Sequence, residues 1–149
     1  SNGFSLVRRI VAASGLGWDA PAPFAAGATL AEALLEPTRI YVRSVLRAIR
    51  NTHGIKALAH ITGGGLIENP PRAIAEGLVP RFDWSAWDLP PVFAWLQEAG
   101  GVAEHELRRT FNCGVGLTLI ARPEDAPDIL AGLLAAGETA FVCGELANA

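Results

Sequence analysis

The amino-acid sequence predicts an α+β domain in which a mixed β-sheet of about four strands is covered by helices. Three observations support this fold class. Segments in which apolar residues recur at helical spacing alternate with short apolar runs that are typical of strands. Clusters of Gly and Pro separate these segments. A chain of 149 residues, half of them apolar, can also form one hydrophobic core without disulfides or a structural metal, so we expect residues 1–149 to be a single domain.

The first helix is predicted at the start of the chain, where apolar residues recur at helical spacing from Phe4 to Val11. Ser1 or Asn2 is expected to cap this helix, because their side-chain oxygens can accept hydrogen bonds from its first amides. Residues 14–27 contain several Gly and Pro residues that fit neither a helix nor a strand, and they predict a surface excursion.

Two more helices are predicted before the first strand. Thr29 and Glu32 have the spacing of a capping box, in which each side chain binds a free amide at a helix start, and this helix is expected to run through Leu35. An amphipathic helix follows over residues 40–49 and ends near residues 51–54. Four arginines are spaced among its apolar residues, and their simplest interpretation is a solvated face. They are Arg39, Arg43, Arg47 and Arg50.

Short apolar runs bounded by Gly or Pro predict four strands, at residues 56–61, 79–84, 115–121 and 139–146. The second is expected at a sheet edge, because Pro80 has no amide N–H to donate. Helices are predicted at residues 90–100, 104–109 and 123–136. Within the first of these, Phe93 and Trp95 are expected to be core residues rather than a ligand platform.

The charge balance argues against a polyanionic partner. The chain has 12 basic and 15 acidic residues and a net charge of −3, whereas a nucleic-acid surface needs an excess of positive charge.

No run of about 18 apolar residues is present, so we expect a soluble chain with no membrane contact. Cys113 and Cys143 follow no secretory signal, and we expect them to be reduced thiols in a cytoplasmic protein.

The most unusual segment is Thr62-Gly63-Gly64-Gly65, which follows the first predicted strand. Three consecutive glycines expose backbone amides, and a helical turn after them would add its own unpaired N–H groups, so the segment can hold a phosphate or carboxylate. Its spacing fits neither the Walker A loop nor the dinucleotide-binding fingerprint. A tight structural turn and an anion site therefore both remain open.

Other chemistry is less well supported by the residues. The cysteines and histidines lack the paired spacing of metal ligands, so we expect no metal site within this chain. Cys113 is either a nucleophile or, more simply, a small residue that fills a tight space. His60 closes an apolar strand and is either a core histidine or a functional one. No pair of carboxylates has a spacing that suggests acid–base catalysis.

Several segments, in the same order, resemble the C-terminal domain of the phosphoribosylformylglycinamidine cyclo-ligase (AIR synthetase) family, part of the AIR synthase-related superfamily. They are residues 60–69 (HITGGGLIEN), 87–97 (WDLPPVFAWLQ), 109–116 (RTFNCGVG) and 137–140 (GETA), together with 1–8 and 34–42. Residues 111–114 with 95–97 point to the cyclo-ligase within that superfamily. One departure is Pro70-Pro71, where the family usually has an aliphatic residue before proline.

The resemblance implies an enzyme of purine biosynthesis that uses ATP and Mg²⁺ to close the imidazole ring of formylglycinamidine ribonucleotide, giving aminoimidazole ribonucleotide. In that family an N-terminal domain binds most of the nucleotide, and the full-length enzyme is a homodimer. This chain has no methionine and no counterpart of that domain, so we expect its start to be a boundary between two domains. The expected partners are a phosphorylated small molecule and the chain's own N-terminal domain, and the isolated chain is expected to be inactive.

The resemblance also implies roles for particular residues, although it does not identify a catalytic base. Two groups are expected to hold phosphate groups of the substrate, at a helix start and in the glycine-rich segment. They are Ser1, Asn2 and Gly3, and Thr62, Gly63, Gly64 and Gly65. A second set is expected to shape the wall beside the reacting amidine or to orient the substrate and neutralise its charge. It consists of Asn112, Cys113 and Gly114 for the wall, and His60, Asn69 and Arg72 for the charge.

Two alternatives stay open at this point. The chain could be the substrate domain of another superfamily member, of the amidotransferase, selenophosphate synthetase or thiamine-phosphate kinase type. It could also be a stand-alone ligand-binding module without a catalytic role. The phosphorylated ligand that binds to the chain would distinguish these cases.

Overall fold

The computed structural model describes residues 2–149 and confirms the α+β class. The helices are α1 (Phe4–Ser14), α2 (Leu30–Leu34), α3 (Val42–Thr52), α4 (Gly65–Glu68), α5 (Pro91–Gly100), α6 (Glu104–Thr110) and α7 (Ala126–Ala135). The strands are β1 (Ile55–His60), β2 (Leu78–Phe82), β3 (Leu117–Ala121) and β4 (Gly144–Asn148), and a 3₁₀ turn covers Pro70–Ala73. None of the helices between residues 2 and 149 is long and apolar enough to cross a membrane.

The contacts within the chain group it into two compact units. The first unit comprises residues 2–38, 61–68 and 89–116, and the second comprises residues 39–60, 69–88 and 117–149. Each unit draws on three separate stretches of sequence, so neither could be recognised from composition along the chain. That residues 1–149 form one domain stays a prediction.

The first unit is helical and holds the larger core. Phe93 from α5 is buried, and its ring centroid lies 5.6 Å from that of Phe111. Trp95 packs against the rim of the same core, with its ring centroid 5.2 Å from that of Phe24. The prediction that Phe93 and Trp95 are core residues is therefore confirmed. The buried members of this core are Val7, Ile10, Val11, Leu30, Leu34, Phe93, Leu96, Leu107, Phe111 and Cys113.

The starts of α1 and α2 have different caps. The capping box before α2 is confirmed: the Glu32 amide donates to Thr29 Oγ1 at 3.3 Å, and the Thr29 amide donates to Glu32 Oε2 at 2.9 Å. At α1 the N-cap residue is Gly3, with φ 91° and no side-chain cap, so the predicted Asn2 cap is wrong. Ser1, the other predicted cap, lies outside the described residues. The backbone turns at Gly3 because it packs directly against Phe111, where a side chain has no room.

The second unit contains the strands of the described chain. β1 pairs with β3 and β2 pairs with β4, both antiparallel, with Leu58 opposite Leu119 and Pro80 opposite Leu146. These are two two-stranded sheets, so the predicted single mixed sheet is wrong in its pairing, although the four strands are present among residues 2–149. The paired strands are far apart in sequence, and local patterns do not specify such pairing. α3 and α7 cover β1 and β3 through a small core around Ala48.

The last strand is shifted along the chain from its predicted position. The apolar residues around 139–143 predicted a strand there, but β4 begins at Gly144. Phe141 instead stacks on Trp87, with ring centroids 5.7 Å apart, and the carbonyl of Cys143 accepts a hydrogen bond from the Asp83 amide at 2.9 Å. Phe141 is therefore held by aromatic stacking before β4, and the strand itself begins directly after Cys143.

Candidate functional site

Three segments of the first unit, each of which contains glycine, come into close contact. A methyl group built on Gly3 would lie 2.7 Å from Phe111 Cε1 and 2.8 Å from Thr110 Cγ2. One built on Gly63 would lie 3.2 Å from Asn2 Nδ2. We call this meeting of residues 2–3, 62–65 and 110–114 the glycine junction. It brings together the predicted phosphate-binding residues that lie in the first unit, with Ser1 outside the described residues.

The glycine-rich loop is a tight turn that leads into α4. Gly64 and Gly65 have φ of 101° and 56°, a left-handed conformation that side chains other than that of glycine rarely allow. The Gly65 amide donates to the Thr62 carbonyl at 3.0 Å, and the Glu68 amide donates to the Gly64 carbonyl at 3.0 Å. The structural-turn interpretation is therefore confirmed. That the same loop binds an anion stays a prediction.

An ion pair fixes the loop to α6. Arg109 Nε donates to Glu68 Oε1 at 2.7 Å, which ties the end of α4 to the end of α6. The Glu68 carboxylate raises the pKa of the Arg109 guanidinium, so that side chain stays charged. Sequence reasoning did not include either residue in the site. Both residues lie within segments that resemble the family, residues 60–69 and 109–116, but the sequence does not show that they pair with each other.

Residues 112–114, which directly follow Phe111, form a second tight turn. Asn112 Oδ1 accepts a hydrogen bond from the Gly114 amide at 3.1 Å, and the Asn112 carbonyl accepts one from the Val115 amide at 3.0 Å. Cys113 and Gly114 have φ of 49° and 96°. The half-buried Asn112 side chain thus orders the turn through its own oxygen, an arrangement typical of Asn in turns.

Cys113 is a core residue of the first unit. It is 2% exposed, and its Sγ lies 3.7 Å from the Leu107 carbonyl oxygen and 3.8 Å from that of Phe111. Burial raises the pKa of the Cys113 thiol to about 11, against an opposing effect of the Arg108 charge. A thiol that stays protonated near neutral pH is a poor nucleophile. The interpretation of Cys113 as a small residue filling a tight space is therefore confirmed.

His60, Asn69 and Arg72 belong to the second unit. His60 ends β1 with its side chain exposed, so the core-histidine interpretation is wrong. Asn69 is buried, and its carbonyl accepts a hydrogen bond from the Arg72 amide at 3.2 Å in the turn before β2. Arg72 is exposed. The predicted site residues are therefore divided between the two units. Those that lie in the first unit all belong to the glycine junction.

The side chains between residues 2 and 149 offer no ready-made cation site. No three His, Cys, Asp or Glu side chains in this part of the chain come together in a way that could hold a metal ion. The donor groups at the glycine junction are instead backbone amides, the amide of Asn2, the hydroxyl of Thr62 and the guanidinium of Arg109. Such groups suit an anionic ligand.

A comparison with known protein families covers the whole chain. A family model described as the AIR synthase related protein, C-terminal domain, matches residues 1–149. The match includes all three segments of the glycine junction as well as His60, Asn69 and Arg72 of the second unit. It defines a family of domains that several different enzymes share, so it shows the family of this chain and not its reaction.

Proposed function

The chain belongs to the AIR synthase-related C-terminal domain family, and from this membership we propose that it is the substrate-binding domain of a phosphoribosylformylglycinamidine cyclo-ligase (AIR synthetase). The single observation that supports the proposal within the chain is the glycine junction. It joins two of the segments that resemble this enzyme, residues 60–69 and 109–116, through contacts that only glycine allows. The ring-closing reaction needs a phosphorylated ribonucleotide held in one orientation.

In the proposed reaction, ATP phosphorylates the formyl-amide oxygen of formylglycinamidine ribonucleotide. A nitrogen of the amidine then attacks the formyl carbon, the C–O bond to the phosphate breaks, and loss of a proton completes the imidazole ring. This chemistry depends mainly on positioning and on stabilising the charge of phosphoryl oxygens. In the full-length enzyme, proposed to be a homodimer, ATP and Mg²⁺ would be held mainly by an N-terminal domain.

The residues of this chain would position the ribonucleotide. Backbone amides of the glycine-rich loop other than that of Gly65, which is bonded to the Thr62 carbonyl, would bind phosphate oxygens together with the Thr62 hydroxyl, with Asn2 beside Gly63. Arg109, held by Glu68 at 2.7 Å, would add a fixed positive charge next to the loop. The Asn112 turn would form the wall beside the amidine. These contacts need no acid–base residue, in keeping with a domain whose task is orientation.

Ligand-dependent stabilisation tests the proposal. We expect formylglycinamidine ribonucleotide to raise the melting temperature of the 149-residue chain, because a ligand at about 100 times its Kd stabilises the folded state by about 2.7 kcal/mol. The matched control is the dephosphorylated ribonucleoside, which lacks the group that the loop would hold. Thiamine phosphate and selenophosphate serve as ligands of other superfamily members.

Each outcome decides between the candidates. Stabilisation by formylglycinamidine ribonucleotide alone supports the cyclo-ligase. Stabilisation by thiamine phosphate or selenophosphate instead would assign the chain to another superfamily enzyme. If the dephosphorylated control stabilises as strongly as the ribonucleotide, the phosphate-binding role of the glycine-rich loop is wrong.

A further inference from the structure

Glu138, in the turn after α7, connects two residues that flank the start of α3. Its Oε2 accepts a hydrogen bond from Arg39 Nε at 2.6 Å, and its Oε1 accepts one from Ser44 Oγ at 2.5 Å. The Glu138 side chain is 12% exposed, whereas that of Arg39 is 58% exposed. A largely buried carboxylate therefore links the segment after α7 to residues 39–44 of the second unit.

Each partner of Glu138 makes a second hydrogen bond. Arg39 Nη2 also donates to the Gly137 carbonyl at 2.9 Å, so the guanidinium is fixed to the 137–138 turn by two nitrogens. Ser44 Oγ lies 2.9 Å from the Tyr41 carbonyl as well, giving its one proton two acceptors. The Ser44 hydrogen bond, and then the Arg39 bond and charge, lower the pKa of Glu138 despite its burial, so the carboxylate is ionised.

Tyr41 lies between these two fixed points, and its ring meets His60. The ring centroids of Tyr41 and His60 are 6.5 Å apart at an angle of 68°, an edge-on contact between the start of α3 and the end of β1. Burial and then the Glu138 charge raise the pKa of Tyr41, so its ring carries a neutral phenol. His60 is otherwise an exposed side chain at a strand end, free to adopt several rotamers.

We propose that Glu138 is a positioning residue for His60. By holding Arg39 and Ser44 it fixes the backbone on both sides of Tyr41, and the Tyr41 ring in turn restricts the orientation of the imidazole. Restricting a side chain before a ligand arrives reduces the ordering cost of binding. The functional consequence rests on the proposed function and on the expectation from the family resemblance that His60 orients the ribonucleotide, whereas the positioning itself concerns the unliganded chain.

The test is the NMR signal of the His60 ring, which moves when a neighbouring aromatic ring moves. Tyr41→Leu defines the signal of His60 without the aromatic ring. We expect Glu138→Gln to shift the His60 signal most of the way to that position and Glu138→Asp to shift it less. Glu145→Gln is the matched control, because Glu145 is an exposed glutamate on β4 of the same unit. The His105 signal, from the first unit, should stay constant in all four variants.

An unchanged His60 signal in folded Glu138→Gln overturns the proposal. If that variant does not fold, Ser44→Ala removes the hydroxyl that bonds Glu138 Oε1 and the Tyr41 carbonyl while the Arg39 pair stays, and an unchanged signal there overturns the proposal equally. A titration with formylglycinamidine ribonucleotide then separates the two proposals. Weaker binding to Glu138→Gln than to Glu145→Gln supports the role of His60 in the site. No binding to the wild-type chain contradicts the proposed function and leaves the unliganded measurement valid.

Discussion

Gly65 and Arg108 approach so closely that no side chain fits between them: a methyl group built on Gly65 would lie 2.0 Å from the Arg108 carbonyl oxygen. It would also lie 2.7 Å from the Phe111 carbonyl oxygen. Both obstacles are backbone atoms, which cannot rotate away as a side chain would. The glycine-rich loop therefore meets the end of α6 backbone to backbone, and the third glycine of the segment is required by packing as well as by its φ of 56°.

Gly65→Ala should destabilise the chain. The left-handed conformation costs a non-glycine residue about 1–2 kcal/mol, and forcing a methyl group into a filled space adds about 1–3 kcal/mol. Urea unfolding would measure the change. Gly132→Ala in α7 is the control, since nothing lies within 4 Å of the added methyl group, and a helix gains about 1 kcal/mol from this exchange. Equal urea midpoints for wild type and Gly65→Ala would contradict the close approach.

Cys113 should make stability fall at high pH. The folded-state pKa of about 11 lies above the ordinary value of 9.0, so the folded chain binds the thiol proton more tightly than the unfolded chain. Its contribution is complete below pH 9 and is lost as the pH rises toward 11. Urea unfolding across this range should give a smaller loss for Cys113→Ala than for wild type. Identical slopes would show that the thiol is not shielded from solvent.

Glu138 should make stability fall at low pH. Its pKa is lowered from the ordinary value of 4.5, chiefly by the Ser44 hydroxyl, so its contribution is present above that value and is lost as the pH falls through the lower folded-state pKa. Thermal unfolding from neutral to acidic pH should therefore depend less on pH in Glu138→Gln than in wild type. The control Glu145→Gln should keep the wild-type dependence. A parallel loss in wild type and Glu138→Gln would contradict the ionised state.

Asn112 should separate folding from ligand binding. Asn112→Asp keeps an oxygen for the Gly114 amide, 3.1 Å away in the wild type, but adds a negative charge. We expect Asp to preserve the melting temperature and to strengthen binding of formylglycinamidine ribonucleotide, because the amidine is a base that is protonated near neutral pH and a carboxylate beside it attracts the positive charge. Asn112→Ala should lower both, since it removes the acceptor. Calorimetric titration would measure binding, and unchanged affinity in both variants would exclude Asn112 from the substrate wall.

The purified chain should not catalyse ring closure. Its described residues hold no cluster of metal-binding side chains, and we propose that ATP is held mainly by another domain. A mixture of the chain with formylglycinamidine ribonucleotide, ATP and Mg²⁺ should therefore produce no aminoimidazole ribonucleotide, which a colorimetric assay for the amine detects. Product formation above the rate without protein would show that the 149 residues contain a complete active site.

Local signals predicted most helices and strands. Features that depend on the pairing of distant segments were not predicted correctly. The capping box at Thr29 and Glu32 acts within a few residues, so the sequence alone specifies it. The pairing of β1 with β3 does not arise locally, and it was predicted wrongly as part of one mixed sheet. The last strand was misplaced in part because Phe141, an apolar residue that suits a strand, stacks on Trp87 before β4 begins.

In the candidate site too, local features could be predicted from the sequence and contacts between distant segments could not. The glycine-rich segment and Asn112 could be found from residue type and from the family resemblance. The ion pair of Glu68 with Arg109 could not, because it joins residues that only the packing of α4 on α6 brings together. Gly3 was predicted to bind phosphate. The structure shows in addition that Gly3 packs against Phe111, a contact between distant residues that the order of residues does not reveal.

The positions of the tryptophans allow the two units to be followed separately by fluorescence. Trp84 and Trp87 lie in the second unit, with ring centroids 5.5 Å apart, whereas Trp18 and Trp95 lie in the first. The four tryptophans are thus divided equally between the units. Replacing either pair with phenylalanine leaves a chain whose fluorescence reports one unit alone. The two emission signals can then follow each unit through denaturation and ligand binding separately, without an attached label.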